Sequence, residues 1–143
     1  GQCIEKWIYD GEMYNECVCV TKKCLGVSNL RHIHGILWHQ GEADYMNTHE
    51  YYEHSLNTVI NQFRNEYFFN EYIPFIAGEL LNNNTYDKQN RVLEKLNFNG
   101  DKYIRCAYTR YLQCNVNDNL HFSTMSHRLM GQLYYDQYKI IFS

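Results

Sequence analysis

Gly35-Ile36-Leu37-Trp38-His39-Gln40-Gly41-Glu42-Ala43-Asp44 decides how the rest of this chain folds. An apolar run closes on Trp38 and gives way at once to a polar turn containing a glycine. Such a run is too short for a helix and reads as a buried strand over Ile33 to Trp38. Gly41 supplies the freedom for a tight turn. Gln40 then stands just past the strand's end, and Glu42 and Asp44 are placed to hold the loop or cap the next helix.

Outward from that strand the elements alternate. Glu12 to Leu25 carries Met13, Cys17, Val20 and Cys24 at helical steps, with Gly26 as its C-cap. Thr48 to Phe69 reads as a long amphipathic helix with Tyr52, Leu56, Val59, Ile60 and Phe63 inward, and Asn47 or Thr48 caps it. Pro74 to Leu80 is a second strand, with its proline at the first position. Asp87 to Leu96 is a shorter helix, Lys102 to Tyr108 a third strand, and Ser123 to Tyr138 a closing helix. This alternation predicts an α/β domain with a parallel sheet covered on both faces, in which ligands bind beyond the carboxyl ends of the strands.

Composition narrows the partners. The 143 residues carry 13 Lys and Arg against 16 Asp and Glu, a net charge of −3. That balance gives no basic footprint for nucleic acid. No apolar run reaches the roughly 20 residues of a membrane-spanning helix. Six cysteines are present, but no C-x-x-C pair is followed by histidines at metal-ligand spacing. Buried free thiols are the plainer expectation. His32 and His34 alternate on one face of the first strand without a third ligand. Asn83-Asn84-Thr85 forms a glycosylation sequon in an Asn-rich loop.

The second informative stretch is Asp118-Asn119-Leu120-His121-Phe122-Ser123, after the third strand. A carboxylate three residues before an imidazole can orient it as a general base. Alone, Asp-x-x-His is an ordinary loop with Ser123 as the N-cap of the next helix. Both motifs fall at the carboxyl ends of strands, however, and that favours the catalytic reading.

Taken together, Trp38-His39-Gln40-Gly41-Glu42-Ala43-Asp44 and Asp118-Asn119-Leu120-His121, with Arg128 and Gly131 beyond, resemble the sialic acid-specific acetylesterase branch of the SGNH hydrolases. Cys3-Ile4-Glu5-Lys6-Trp7, Tyr14-Asn15, Tyr52 to Arg64 and Pro74-Phe75-Ile76 extend the resemblance over nearly the whole chain. It implies a three-layer α/β/α flavodoxin-like sheet and removal of acetyl groups from sialic acid or other sugars by a serine mechanism. Carried over by position, His121 is the base, Asp118 its partner and Gln40 an oxyanion-hole donor, with Gly41 and Glu42 supporting the loop. Neither a metal nor a cofactor is called for.

One departure is large. The family's nucleophilic serine precedes the Trp-x-Gln-Gly-Glu motif by roughly a hundred residues, and only 37 residues precede Trp38 here. Gly1-Gln2-Cys3 and Gly26-Val27-Ser28-Asn29 imitate the serine segment without its context. Residues 1–143 are therefore expected to be one domain's C-terminal part, lacking the N-terminal strand or strands. The serine is expected elsewhere, and the N-terminal half, in another chain or covering the exposed sheet edge, is the expected partner beside an O-acetylated carbohydrate. The alternative is an inactive esterase-like domain that binds sugar or serves a structural role.

Overall fold

The computed structural model describes residues 1–27, 32–66 and 72–143. Three parallel strands form its centre: β1 (Ile36–Trp38), β2 (Phe75–Gly78) and β3 (Ile104–Ala107), in that spatial order. The register sets Phe75 between Ile36 and Ile104, and Ala77 between Trp38 and Cys106. Side chains alternate faces along a strand, so these six share one face. Ile76 and Ala107 point to the other.

Four helices were expected, and four are found among the described residues: α1 (Glu12–Val27), α2 (His49–Asn65), α3 (Asp87–Lys95) and α4 (Thr124–Ile141). Helices α1 to α3 pack Val18, Leu56, Ile60, Val92 and Leu93 against the Trp38–Phe75–Cys106 face. Helix α4 packs Met130, Tyr134 and Ile141 against Ile76 and Ala107. The result is the three-layer α/β/α architecture, because a parallel sheet must bury both of its apolar faces.

Local chemistry explains the helix starts. The Thr48 side chain accepts the Tyr51 N–H at 3.2 Å, and the Ser123 side chain accepts the Ser126 N–H at 3.2 Å. Both are N-cap bonds satisfying a donor that the first turn leaves unpaired. The five predicted inward residues of α2 are all buried. That helix ends at Asn65, and the predicted extension to Phe69 lies outside the described residues.

Four readings need correction. Helix α1 runs through Gly26 to Val27, and Gly26 does not take the left-handed φ of a C-cap glycine. The buried face of α1 is Tyr14 and Val18, whereas Val20 is 51% exposed. The aromatic ring of Tyr14 against Phe63, with centroids 5.1 Å apart, sets the rotation that the thinner Met13–Cys17–Val20–Cys24 stripe suggested differently. His32 and His34 precede β1 rather than lying on it, because the ladder begins only where Ile36 donates to the Pro74 carbonyl at 2.7 Å. Of the six free thiols only Cys106 is buried; Cys19, Cys24 and Cys114 are exposed.

No described helix is long and apolar enough to cross a membrane. Among the described residues β1 has no neighbour on its outer side, and Leu37, facing the α4 layer, is 68% exposed.

A buried tyrosine ties α4 to the sheet. The Tyr134 hydroxyl donates to the Trp38 carbonyl at 2.6 Å, crossing β2 where Gly78 leaves room. A Cβ at Gly78 would meet that hydroxyl and the ring. Tyr134→Phe is expected to lower stability by about 1 kcal/mol, and Gly78→Ala by about 1–3 kcal/mol. Denaturant midpoints that fall in that order with unchanged slope would bear this out.

Candidate active site

The loop after β1 is organised around a buried carboxylate. Asp44, 1% exposed, accepts the Ile4 N–H at 2.9 Å and the Asn47 side-chain amide at 2.7 Å. It also accepts from the Gln40 amide, while its own carbonyl accepts from Gln89 of α3 at 2.7 Å. Burial pushes the Asp44 carboxyl up, and the Gln40, Ile4 and Asn47 hydrogen bonds pull against that rise. Asp44 therefore holds the loop, the N-terminal turn and α3 together, and does not cap α2.

Gly41 is demanded by the same packing. Its φ is +143°, and a Cβ there would lie 2.9 Å from both the Leu80 side chain and the Tyr52 hydroxyl. That hydroxyl donates to the Gln40 carbonyl at 2.7 Å.

Gln40 itself is 8% exposed, and both hydrogens of its side-chain nitrogen are engaged. One goes to the Gln2 carbonyl at 2.9 Å and the other to Asp44. Its Oε1 is buried without a hydrogen-bond partner among the described residues. In this arrangement the amide pins the loop; to serve an oxyanion it must release one of those acceptors. Glu42 is half-buried, and His39 Nε2 lies 3.4 Å from its carboxylate. Burial acts to raise the Glu42 carboxyl, but His39 and the residue's own backbone N–H leave it lowered.

The loop after β3 is a small hairpin. Cys114 pairs antiparallel with Phe122, and the Ser123 N–H donates to the Gln113 carbonyl at 2.9 Å. At its tip Asn117 takes φ +62°, a left-handed conformation that asparagine tolerates. Asp118 then turns the chain: its Oδ1 accepts the N–H groups of Leu120 at 2.8 Å and His121 at 3.0 Å. Its Oδ2 lies 2.7 Å from His121 Nδ1. The backbone donors of His121 and Leu120, followed by the imidazole, bring the Asp118 carboxyl down to about 2. The His121 side chain is 67% exposed and makes no hydrogen bond through Nε2 among the described residues.

The two motifs adjoin. The His39 and Phe122 rings stand 5.7 Å apart, and the buried Tyr86 hydroxyl is pushed up first by burial and then by the charges of Glu42 and Asp118. Gln40 lines a cleft of about 350 Å³ with Trp38, His39 and Glu42. The Asp118–His121 loop borders a separate cleft of about 640 Å³.

Arg128 is exposed, with no ion pair among the described residues. Gly131 has open space around it rather than a close neighbour. Both sit on the outer side of α4, where the helix faces away from the sheet. Ser28-Asn29, in the second imitation of a serine segment, lies outside the described residues.

A further carboxylate, Glu79, escaped the sequence reading. Glu79, fully buried at the end of β2, holds the Arg110 guanidinium through Nε at 2.8 Å and through a second nitrogen. Arg110 also reaches Glu94 at 3.0 Å. The available signal was a charged residue closing the apolar run Phe75-Ile76-Ala77-Gly78, which requires an opposite charge nearby.

Comparison with known proteins settles the family. A family model described as "Carbohydrate esterase, sialic acid-specific acetylesterase" matches residues 1–140. The chain belongs to that family. It also superposes on a solved structure of a protein from Arabidopsis thaliana with a TM-score of 0.80 at 22% identity. The match covers 97% of this chain but 56% of the other, so the chain spans about half the length of that relative. This likeness shows the α/β fold described above. No curated protein matches.

Two outcomes test the site's geometry. Asp44→Ala leaves the Ile4 N–H and two side-chain amides without their acceptor, and is expected to cost about 2–4 kcal/mol in chemical denaturation. Asp118 has its carboxyl depressed, so its ordering of the loop is present above the unfolded value of about 4. That contribution is lost as pH falls through the folded value of about 2. A carboxyl carbon titration should place its midpoint there.

Proposed function

We propose that this member of the carbohydrate esterase family supplies the acid–base half of a serine O-acetylesterase. The observation carrying the reading is the 2.7 Å contact of Asp118 with His121 Nδ1, which leaves Nε2 free at the carboxyl end of the sheet. In this scheme a serine outside the 143 residues presents its hydroxyl to His121 Nε2. As Oγ attacks the acetyl carbonyl, the proton passes to the imidazole and Asp118 stabilises the imidazolium. The imidazolium returns that proton to the departing sugar oxygen, leaving an acetyl-serine. Water then hydrolyses the acetyl-serine with His121 again as base. The substrate is an O-acetylated carbohydrate, sialic acid or another sugar.

The domain is completed along the outer edge of β1. The outer edge of β1, without a strand partner among the described residues and beside exposed Leu37, invites a further strand, supplied by the N-terminal half of the same domain. One observation favours a second reading, an inactive sugar-binding or structural relative: the engaged amide of Gln40 offers no free donor to an oxyanion.

Activity toward a chromogenic acetyl ester decides between them once the N-terminal half is present. His121→Ala is expected to lower kcat by about 10⁶-fold and Asp118→Asn by about 10⁴-fold, each with little change in KM. Hydrolysis unaffected by either substitution, or absent from the completed protein, would sink the esterase reading.

A further inference from the structure

We infer that the cleft of about 640 Å³ beside the Asp118–His121 loop is a binding subsite for an uncharged sugar unit of the substrate. The inference rests on the proposed esterase function and specifies what lies next to the acetylated sugar. The cleft is built where Leu81 and Asn82 leave β2 and where residues 110–119 leave β3, at the same end of the sheet as His121. Asn83 joins its walls by donating to the Asn119 carbonyl at 3.0 Å.

Its lining chemistry is that of a hydroxyl-rich, neutral ligand. Gln113, Asn115, Asn117 and Asn119 all present side-chain amides there, and none of these amides makes a hydrogen bond among the described residues. Each amide offers donors on one atom and an acceptor on another, which matches a pair of sugar hydroxyls without introducing charge. Tyr111 adds an aromatic face. Its side chain is 77% exposed, with the Arg110 guanidinium carbon 6.0 Å from the ring centroid. The apolar C–H face of a pyranose stacks on such a ring.

Charge excludes the acidic alternative at this position. Arg110 is the cation lining the cleft, and Glu79 and Glu94 both hold it. Asp118 stays ionised at the cleft's border. A sugar carboxylate placed here would meet like charge and no unengaged cation among the described lining residues.

The test titrates the protein with lactose, cellotriose and 3′-sialyllactose while the side-chain amide and backbone signals of residues 110–121 are followed by NMR. Cellotriose or lactose is expected to shift signals of Tyr111, Asn115, Asn117 and Asn119 saturably, and sialyllactose to bind no tighter than lactose. Tyr111→Ala should weaken binding about tenfold, whereas Tyr111→Phe should retain it. Absence of neutral-sugar shifts in this loop, sialyllactose binding tenfold tighter than lactose, or unchanged affinity in a folded Tyr111→Ala protein would each overturn the subsite. Because binding is read without turnover, the two readings fail separately. Binding here with hydrolysis indifferent to His121 removes the esterase reading, and His121-dependent hydrolysis without binding here removes the subsite.

Discussion

Burial of the Asp44 carboxylate is the constraint on which the rest of this architecture depends. A carboxylate withdrawn from water is tolerable only when its lone pairs are met by donors. Here the donors come from three places: the N-terminal turn through Ile4, the loop itself through Gln40 and Asn47, and, at the carbonyl of the same residue, α3 through Gln89. The segment before α1, the strand end at Trp38 and the third helix are thereby brought into one fixed relation. Gly41 completes the arrangement because Tyr52 and Leu80 occupy the space that any side chain would need.

That fixed relation sets the rim that carries the candidate site. Parallel strands all point their carboxyl ends the same way, so the loops after β1 and β3 emerge on one side with β2 between them. The His39–Phe122 ring contact spans the gap and places the glutamine loop against the acid–imidazole loop. Asp118 and His121 belong to a hairpin whose shape comes from local asparagine and aspartate chemistry, not from the core. This explains how a well-buried scaffold can carry an imidazole that is mostly open to solvent.

Much of this was legible in the residues. The strand positions and the inward face of α2 follow from period and burial, since Tyr52, Leu56, Val59, Ile60 and Phe63 recur at steps that admit one orientation. Asp118 and His121 were legible because a three-residue spacing in a turn nearly dictates their contact. The rotation of α1 was not: its apolar residues cover two overlapping stripes, and only the tertiary partner Phe63 selects Tyr14 and Val18. The place of Gln40 just past the first strand was legible, and its bonding was not. The acceptors it engages, Gln2 and Asp44, lie 38 and 4 residues away, and no local pattern announces the first of them.

The Glu79–Arg110 pair has a dynamic consequence. Arg110 opens the loop after β3, and Glu79 is fully buried beneath it, so peeling the first residues of that loop away would strand an unneutralised charge in the interior. Local opening of the loop is therefore divided into two regimes. The root at Thr109 and Arg110 is tied into the buried end of the sheet and is expected to open only with it, while the tip from Asn115 to Leu120, held by a few exposed turn bonds, is expected to open at lower free energy. His121 stands at the junction of the two, its carbonyl accepting the Asn115 N–H at 3.0 Å next to buried Phe122.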